Sequence, residues 1–129
     1  MQSAQDPKYR YPVHPVKSCP KTEEEWRRSA EHLKCSYDRT LKQRYLCIPN
    51  QKKTALLEFC YDLVRPRIVE GFCAELAGTG TLNHESCAHF PTGCPNVSYF
   101  SDEIYKYPKC LDIDTEQRCF RVEPFCQNR

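Results

Sequence analysis

Ten cysteines run through 129 residues from Cys19 to Cys126, with no two adjacent and none in a C-x-x-C pair. Between 6 residues (Cys87 to Cys94) and 15 residues (Cys19 to Cys35) separate neighbours. An even number at such spacing is the pattern of a disulfide framework, which forms and persists in an oxidising compartment. A structural zinc site needs locally paired ligands of the C-x₂₋₄-C kind, and this chain has none. The spacing therefore predicts an extracellular domain, secreted or part of a membrane-protein ectodomain. In it Cys19, Cys35, Cys47, Cys60, Cys73, Cys87, Cys94, Cys110, Cys119 and Cys126 are all oxidised. Their pairing stays open among about 945 connectivities.

The framework matters because the apolar content is thin. Leu, Ile, Val and Phe together make up under a fifth of the chain, a level associated with weak cores. The net charge is only +2, so self-repulsion is small, and each closed loop restricts the unfolded chain by on the order of 2–4 kcal/mol. The 19 basic and 17 acidic residues are interspersed. A nucleic-acid binder would show a clustered basic footprint instead. No stretch approaches the ~18 apolar residues of a membrane span. Residues 1–7 carry no apolar h-region; the expectation is a mature domain or ectodomain fragment, with Met1 added.

Residues 1–18 contain Pro7, Pro12 and Pro15 with Tyr9, Tyr11 and His14, and no cysteine. They read as an extended Pro/Tyr-rich leader, with a single disulfide-stabilised domain over residues 19–129. Within that domain Thr22-Glu23-Glu24-Glu25 is a capping box. Trp26, Ala30 and Leu33 follow at helical spacing, opposite i,i+4 pairs Glu23–Arg27 and Glu24–Arg28. This predicts a helix over residues 22–35. A loop through Tyr37, Asp38, Arg39 and Thr40 leads to a short strand at Tyr45-Leu46-Cys47-Ile48, and Pro49-Asn50 offers a turn and an N-cap. Leu56, Leu57, Cys60, Leu63 and Val64 then predict a second helix, stopped near Arg65-Pro66. Disulfides from Cys35 and Cys60 would hold these helices to the rest of the domain.

Residues 71–76 and 81–84 flank a glycine-bearing loop at 77–80, the pattern of a hairpin. Residues 90–95 form a turn cluster. Ser101-Asp102-Glu103 can cap a short helix ended by Pro108, and residues 118–122 alternate like a final strand. The expected class is α+β: a small disulfide-rich domain with two main helices, one short helix and a few short antiparallel strands.

Signatures of chemistry are sparse. Asn96-Val97-Ser98 is an N-glycosylation sequon in a turn-rich stretch. His84, Cys87 and His89 resemble a metal cluster, but an oxidised Cys87 offers no thiolate, and no metal or other cofactor is expected. Asp112, Asp114 and Glu116 could offer oxygens to calcium, yet the glycine and distal glutamate of an EF-hand loop are absent; a solvated acidic turn is the expectation. There is no G-x-S-x-G elbow and no H-E-x-x-H, so no catalytic residue is assigned. Tyr99, Tyr105, Lys106 and Tyr107 crowd one polar segment together with Phe100 and Lys109. Tyrosines of this kind anchor interfaces; in a small cystine-rich domain they also fill the core.

The frame Cys19-Pro20…Trp26…Leu33-Lys34-Cys35, Tyr45-Leu46-Cys47-Ile48-Pro49-Asn50, Thr54…Leu57-Glu58-Phe59-Cys60-Tyr61-Asp62, Gly71-Phe72-Cys73, Gly93-Cys94-Pro95, Tyr105-Lys106-Tyr107-Pro108-Lys109-Cys110 and Cys119 resembles a cysteine-rich module. That module is common in secreted and single-pass membrane proteins of bivalve molluscs, often beside EGF-like repeats. The resemblance covers residues 19–126. It implies extracellular architecture and a recognition or matrix role, and it brings no catalytic residues. The chain departs from that arrangement in its Pro/Tyr leader and in having no EGF-like repeat or span after Cys126.

Together these readings predict a non-enzymatic extracellular binding module, presenting a stiffened surface to a protein or glycan partner and not to nucleic acid. A structural matrix protein of shell, byssus or mucus, and a small secreted hydrolase or protease inhibitor, are the alternatives.

Overall fold

A computed structural model of the chain describes Tyr9 and residues 11–35, 44–62 and 65–126. The first helix forms where the capping box stands. Helix α1 spans Glu23–Leu33. The Thr22 Oγ1 accepts from the Glu25 amide at 3.1 Å. The Glu25 carboxylate reaches back to the Lys21 amide at 3.0 Å, so two N-terminal donors are satisfied. Arg28 donates to Glu24 at 2.6 Å on the exposed face, and the other face buries Trp26 and Ala30. The helix stops at Lys34, whose φ of 65° is left-handed.

The second expected helix is a strand. Residues 56–61 form β3 (Leu56–Tyr61), the middle strand of an antiparallel sheet between β1 (Val13–Val16) and β2 (Arg44–Pro49). Leu56, Leu57 and Cys60 match a helical repeat. The same run also alternates Leu57/Phe59/Tyr61 with Leu56/Glu58/Cys60. Both faces of β3 are covered, so its apolar run is nearly continuous, and periodicity cannot separate such a strand from a buried helix segment. Leu63 and Val64 lie outside the described residues, as does the loop expected at Tyr37, Asp38, Arg39 and Thr40.

Pairing register puts Tyr45 and Cys47 on the same face as Cys60 and Glu58. This face meets α1: Trp26 packs edge-on against Tyr45 with centroids 5.0 Å apart, and disulfides join Cys35 to Cys60 and Cys19 to Cys47. The opposite face carries Leu46, Ile48, Leu57 and Phe59, all buried. The Tyr11 ring stacks there on Phe59 at 5.3 Å. Strand β1 and Tyr11 come from the segment expected to be a leader, so the fold begins upstream of Cys19. Pro15 and the preceding Pro12 suit an edge strand, since neither has an N–H to leave unpaired.

The second part of the chain is built of short pieces. Strand β4 (Arg67–Ile68) pairs with β7 (Tyr99–Phe100). The expected hairpin is β5 (Phe72–Leu76) with β6 (Leu82–Ser86). Its loop closes through the Ala77 amide on the Thr81 carbonyl at 2.9 Å. The loop uses Gly80 at φ 93°, a value costly for any side chain. The expected short helix is a 3-10 turn at Ser101–Lys106. Pro108 starts a second 3-10 turn, Pro108–Leu111, because a ring-locked φ and a missing N–H fit a first helical position. The last expected strand shortens to β9 (Cys119–Phe120), paired with β8 (Ile113–Asp114).

The remaining disulfides are Cys73–Cys110, Cys87–Cys94 and Cys119–Cys126, and no cysteine is free. Every bridge therefore lies within residues 19–60 or within residues 73–126. The two parts are joined by packing, by a parallel bridge between Asn50 and Leu76, and by ion pairs from Lys53 to Glu75 and Glu85 and from Arg44 to Asp102. They share one core, in which Phe59, Leu46, Ile48, Ile68, Leu76, Ile104 and Phe120 are fully buried. Among the described residues no helix is long and apolar enough to cross a membrane.

Candidate functional site

Where the two parts meet, the segment entering α1 faces the second 3-10 turn and the last strand pair across a cleft of about 400 Å³. Lys17 and Lys21 line it from the segment entering α1, and Tyr105, Lys109, Asp112 and Arg121 line it from the second part of the chain. Each wall is anchored by a cystine: Cys19–Cys47 holds the first to β2, and Cys73–Cys110 holds the second to β5.

Charge in the cleft is unevenly matched. Arg121 is engaged by Asp112 at 3.1 Å and by Asp114 at 3.6 Å. Among the described residues Lys17, Lys21 and Lys109 have no carboxylate within ion-pair distance, and the cleft's own carboxylate, Asp112, is the one already held by Arg121. Lys109 is further positioned by Gly93. At φ 90° Gly93 leaves a gap, and a Cβ built there would fall 2.2 Å from the Lys109 Cγ. The lysine stem thus lies directly against the glycine backbone.

Tyr105 links this cleft to a smaller groove of about 190 Å³ lined by Trp26, Arg27, Arg65 and Asp102. Its ring sits 5.5 Å from Trp26. Arg65 grips Asp102 through two nitrogens, at 2.9 Å and 3.1 Å, and lies 4.0 Å over Phe100. These groups are mutually satisfied. The Tyr105 hydroxyl is held above its ordinary pKa by desolvation first and then by the negative charges of Glu23, Glu103 and Asp102.

A second ionisable cluster lies beside the hairpin. Lys53, buried and left-handed at φ 59°, extends its ammonium to Glu85 and to Glu75 at 3.5 Å, 5.0 Å over the Phe120 ring. Burial, helped by the neighbouring Glu85 carboxylate, pushes Glu75 up to about 7. Glu85 is held below its ordinary value by its bonds to Glu75 and Lys53, against its own desolvation. One carboxyl proton shared between two acids near one ammonium accounts for both directions. One Glu75 oxygen is buried without a hydrogen bond. None of these three residues lines either cleft described above.

The candidate binding residues separate. Tyr99 is buried, donates to the Phe72 carbonyl at 2.8 Å and packs on Tyr107 at 4.7 Å; burial raises its hydroxyl pKa. Tyr107 is half-buried beside it, Lys106 is exposed, and of the four Tyr105 alone lines the cleft. Asn96 is exposed next to exposed Val97. The histidine pattern disperses: Cys87 is bonded to Cys94, His89 pairs with Glu123, and His84 packs against Phe72. A cluster of possible metal ligands among the described residues is Cys73, Cys87 and Cys110. All three are cystine sulfurs, which present no thiolate. In the acidic turn Asp114 accepts from the Glu116 and Gln117 amides at 3.0 Å and 2.9 Å. Those bonds, the one from Gln117 foremost, and the nearby Arg121 hold its carboxyl below the usual range.

Sequence reasoning passed over Lys17, Lys21 and Arg121. The available signal was a lysine on each side of Cys19-Pro20 and another directly before Cys110. Their convergence depends on which cysteines pair. Comparison with protein-family models, curated proteins and solved structures finds no match for this chain.

Proposed function

We propose that this chain is a non-enzymatic extracellular recognition module. The observation that carries the reading is the cleft between two separately cystine-bonded walls, with lysines unpaired among the described residues. A surface held in this way loses little ordering entropy when a partner binds. The resemblance to the mollusc module points the same way.

The other readings have less behind them. With no free cysteine, the domain holds no thiol in reserve for cross-linking into a matrix. The strongly shifted carboxylate, Glu75, is buried and outside the clefts described above, where a substrate would not reach it.

The test is a binding screen of the oxidised domain against glycans, bacterial surfaces and secreted proteins, with a reduced and alkylated sample as control. Binding that disappears on reduction supports the recognition reading. Binding to nothing, or turnover of a substrate, overturns it.

A further inference from the structure

We infer that the cleft is a binding site for an acidic glycan, a sugar chain bearing sulfate or carboxylate groups, held by Lys17, Lys21 and Lys109 across the ring of Tyr105. This deepens the recognition reading and rests on it.

Charge gives the sign of the ligand. Lys17, Lys21 and Lys109 all line one cavity, and the carboxylate that lines it with them, Asp112, is already bound to Arg121. Cations gathered in a cleft with low-dielectric walls focus their field on it, so an anion gains more there than over the open surface. Residue type narrows the anion further. A planar guanidinium clamps a single phosphate or carboxylate in two-pronged fashion, whereas lysine is a compact point charge on a flexible stem. The one arginine here is committed to Asp112 and Asp114. Three separate point charges suit anionic groups strung along a polymer better than one concentrated phosphate.

Shape favours a sugar. The volume of about 400 Å³ falls in the range of small-ligand sites, and Tyr105, Pro20 and Pro108 give it flat, rigid walls. An acidic peptide would more naturally add to a sheet edge, but the nearby edge strand β1 carries Pro15 and follows Pro12, neither of which can donate to an added strand. Nucleic acid would call for a wider basic footprint than a net charge of +2 provides.

The experiment measures binding of the oxidised domain to a fluorescent heparin-derived tetrasaccharide, its desulfated and uncharged counterpart, and poly-glutamate, at fixed ionic strength. Two variants remove equal charge: Lys17→Ala/Lys21→Ala/Lys109→Ala in the cleft, and Arg28→Ala/Lys52→Ala/Arg67→Ala elsewhere. Melting points are taken for both. Expected are binding of the sulfated sugar over the uncharged one, at least tenfold weakening by the cleft variant, and less than threefold weakening by the other. Equal weakening by both variants overturns the site, since a general field would then account for binding. Stronger binding of poly-glutamate overturns the ligand class in favour of an acidic peptide. If the sulfated sugar does not bind while the broader screen finds another partner, this inference fails and the recognition reading stands; if nothing binds, both fall. The comparison of sulfated with uncharged sugar uses the unaltered protein, so it decides the ligand class even if a variant misfolds.

Discussion

Trp26 of the helix and Tyr105 of the first 3-10 turn meet with ring centroids 5.5 Å apart. No disulfide crosses between the parts of the chain to which they belong. The stability of the junction, and with it the shape of the cleft that Tyr105 lines, therefore rests on non-covalent contact: apolar packing, hydrogen bonds and the ion pairs of Lys53 with Glu75 and Glu85.

Replacing Trp26 with alanine removes contacts to both Tyr45 and Tyr105. Large-to-small changes of this kind cost about 3–5 kcal/mol. Urea denaturation of the oxidised protein is expected to show a loss in that range. Tyr105→Ala, at a half-exposed position, is expected to lose less stability and to weaken ligand binding in the cleft.

The disulfides should be unequal. Cys73–Cys110 closes a separation of 37 residues, and Cys119–Cys126 one of 7. Loop-closure entropy assigns about 3.8 kcal/mol to the first and about 2.4 kcal/mol to the second. Cys73 and Cys110 are also fully buried, so the double alanine variant leaves a cavity as well. Thermal denaturation is expected to show the larger drop for Cys73→Ala/Cys110→Ala than for Cys119→Ala/Cys126→Ala. Equal drops would show that loop length does not govern the ranking.

Glu75 predicts how stability changes with pH. Its carboxyl titrates near 7 in the folded protein against an ordinary 4.5. Between these values the folded state holds the extra proton, so stability falls as pH rises through the window. Glu85 acts in the opposite sense at lower pH, since its lowered value stabilises the fold above its ordinary titration and loses that effect on acidification. Glu75→Gln keeps a neutral side chain at every pH. Its melting point relative to the parent is expected to rise from pH 5 to pH 7.5, and parallel curves would refute the assignment.

Gly93 links backbone conformation to the cleft. Alanine at its φ of 90° is strained, and the new Cβ would collide with the Lys109 stem. Left-handed backbone costs a side chain about 1–2 kcal/mol. Gly93→Ala is expected to lower the melting point modestly and to weaken acidic-glycan binding by moving Lys109. Loss of stability with unchanged binding would separate Lys109 from the site.

Local signals were readable where the residues that make an element also lie within it. Thr22, Glu25 and the Trp26/Ala30 stripe specify α1 within a dozen residues. The glycines of the loop at 77–80 similarly mark the hairpin of β5 and β6. The cysteine count by itself indicated a disulfide framework, and all ten cysteines are paired. Elsewhere the partners are remote. Residues 56–61 satisfy a helical and a strand pattern equally, and the choice belongs to β1 and β2, which supply the hydrogen bonds on either side. Val13–Val16 has no strong pattern of its own and becomes a strand because β3 offers it an edge. The pairing of ten cysteines, and the meeting of Lys17 and Lys21 with Lys109, follow from those long-range contacts. Such contacts depend on which surfaces bury one another, a property of the whole chain that no short segment contains.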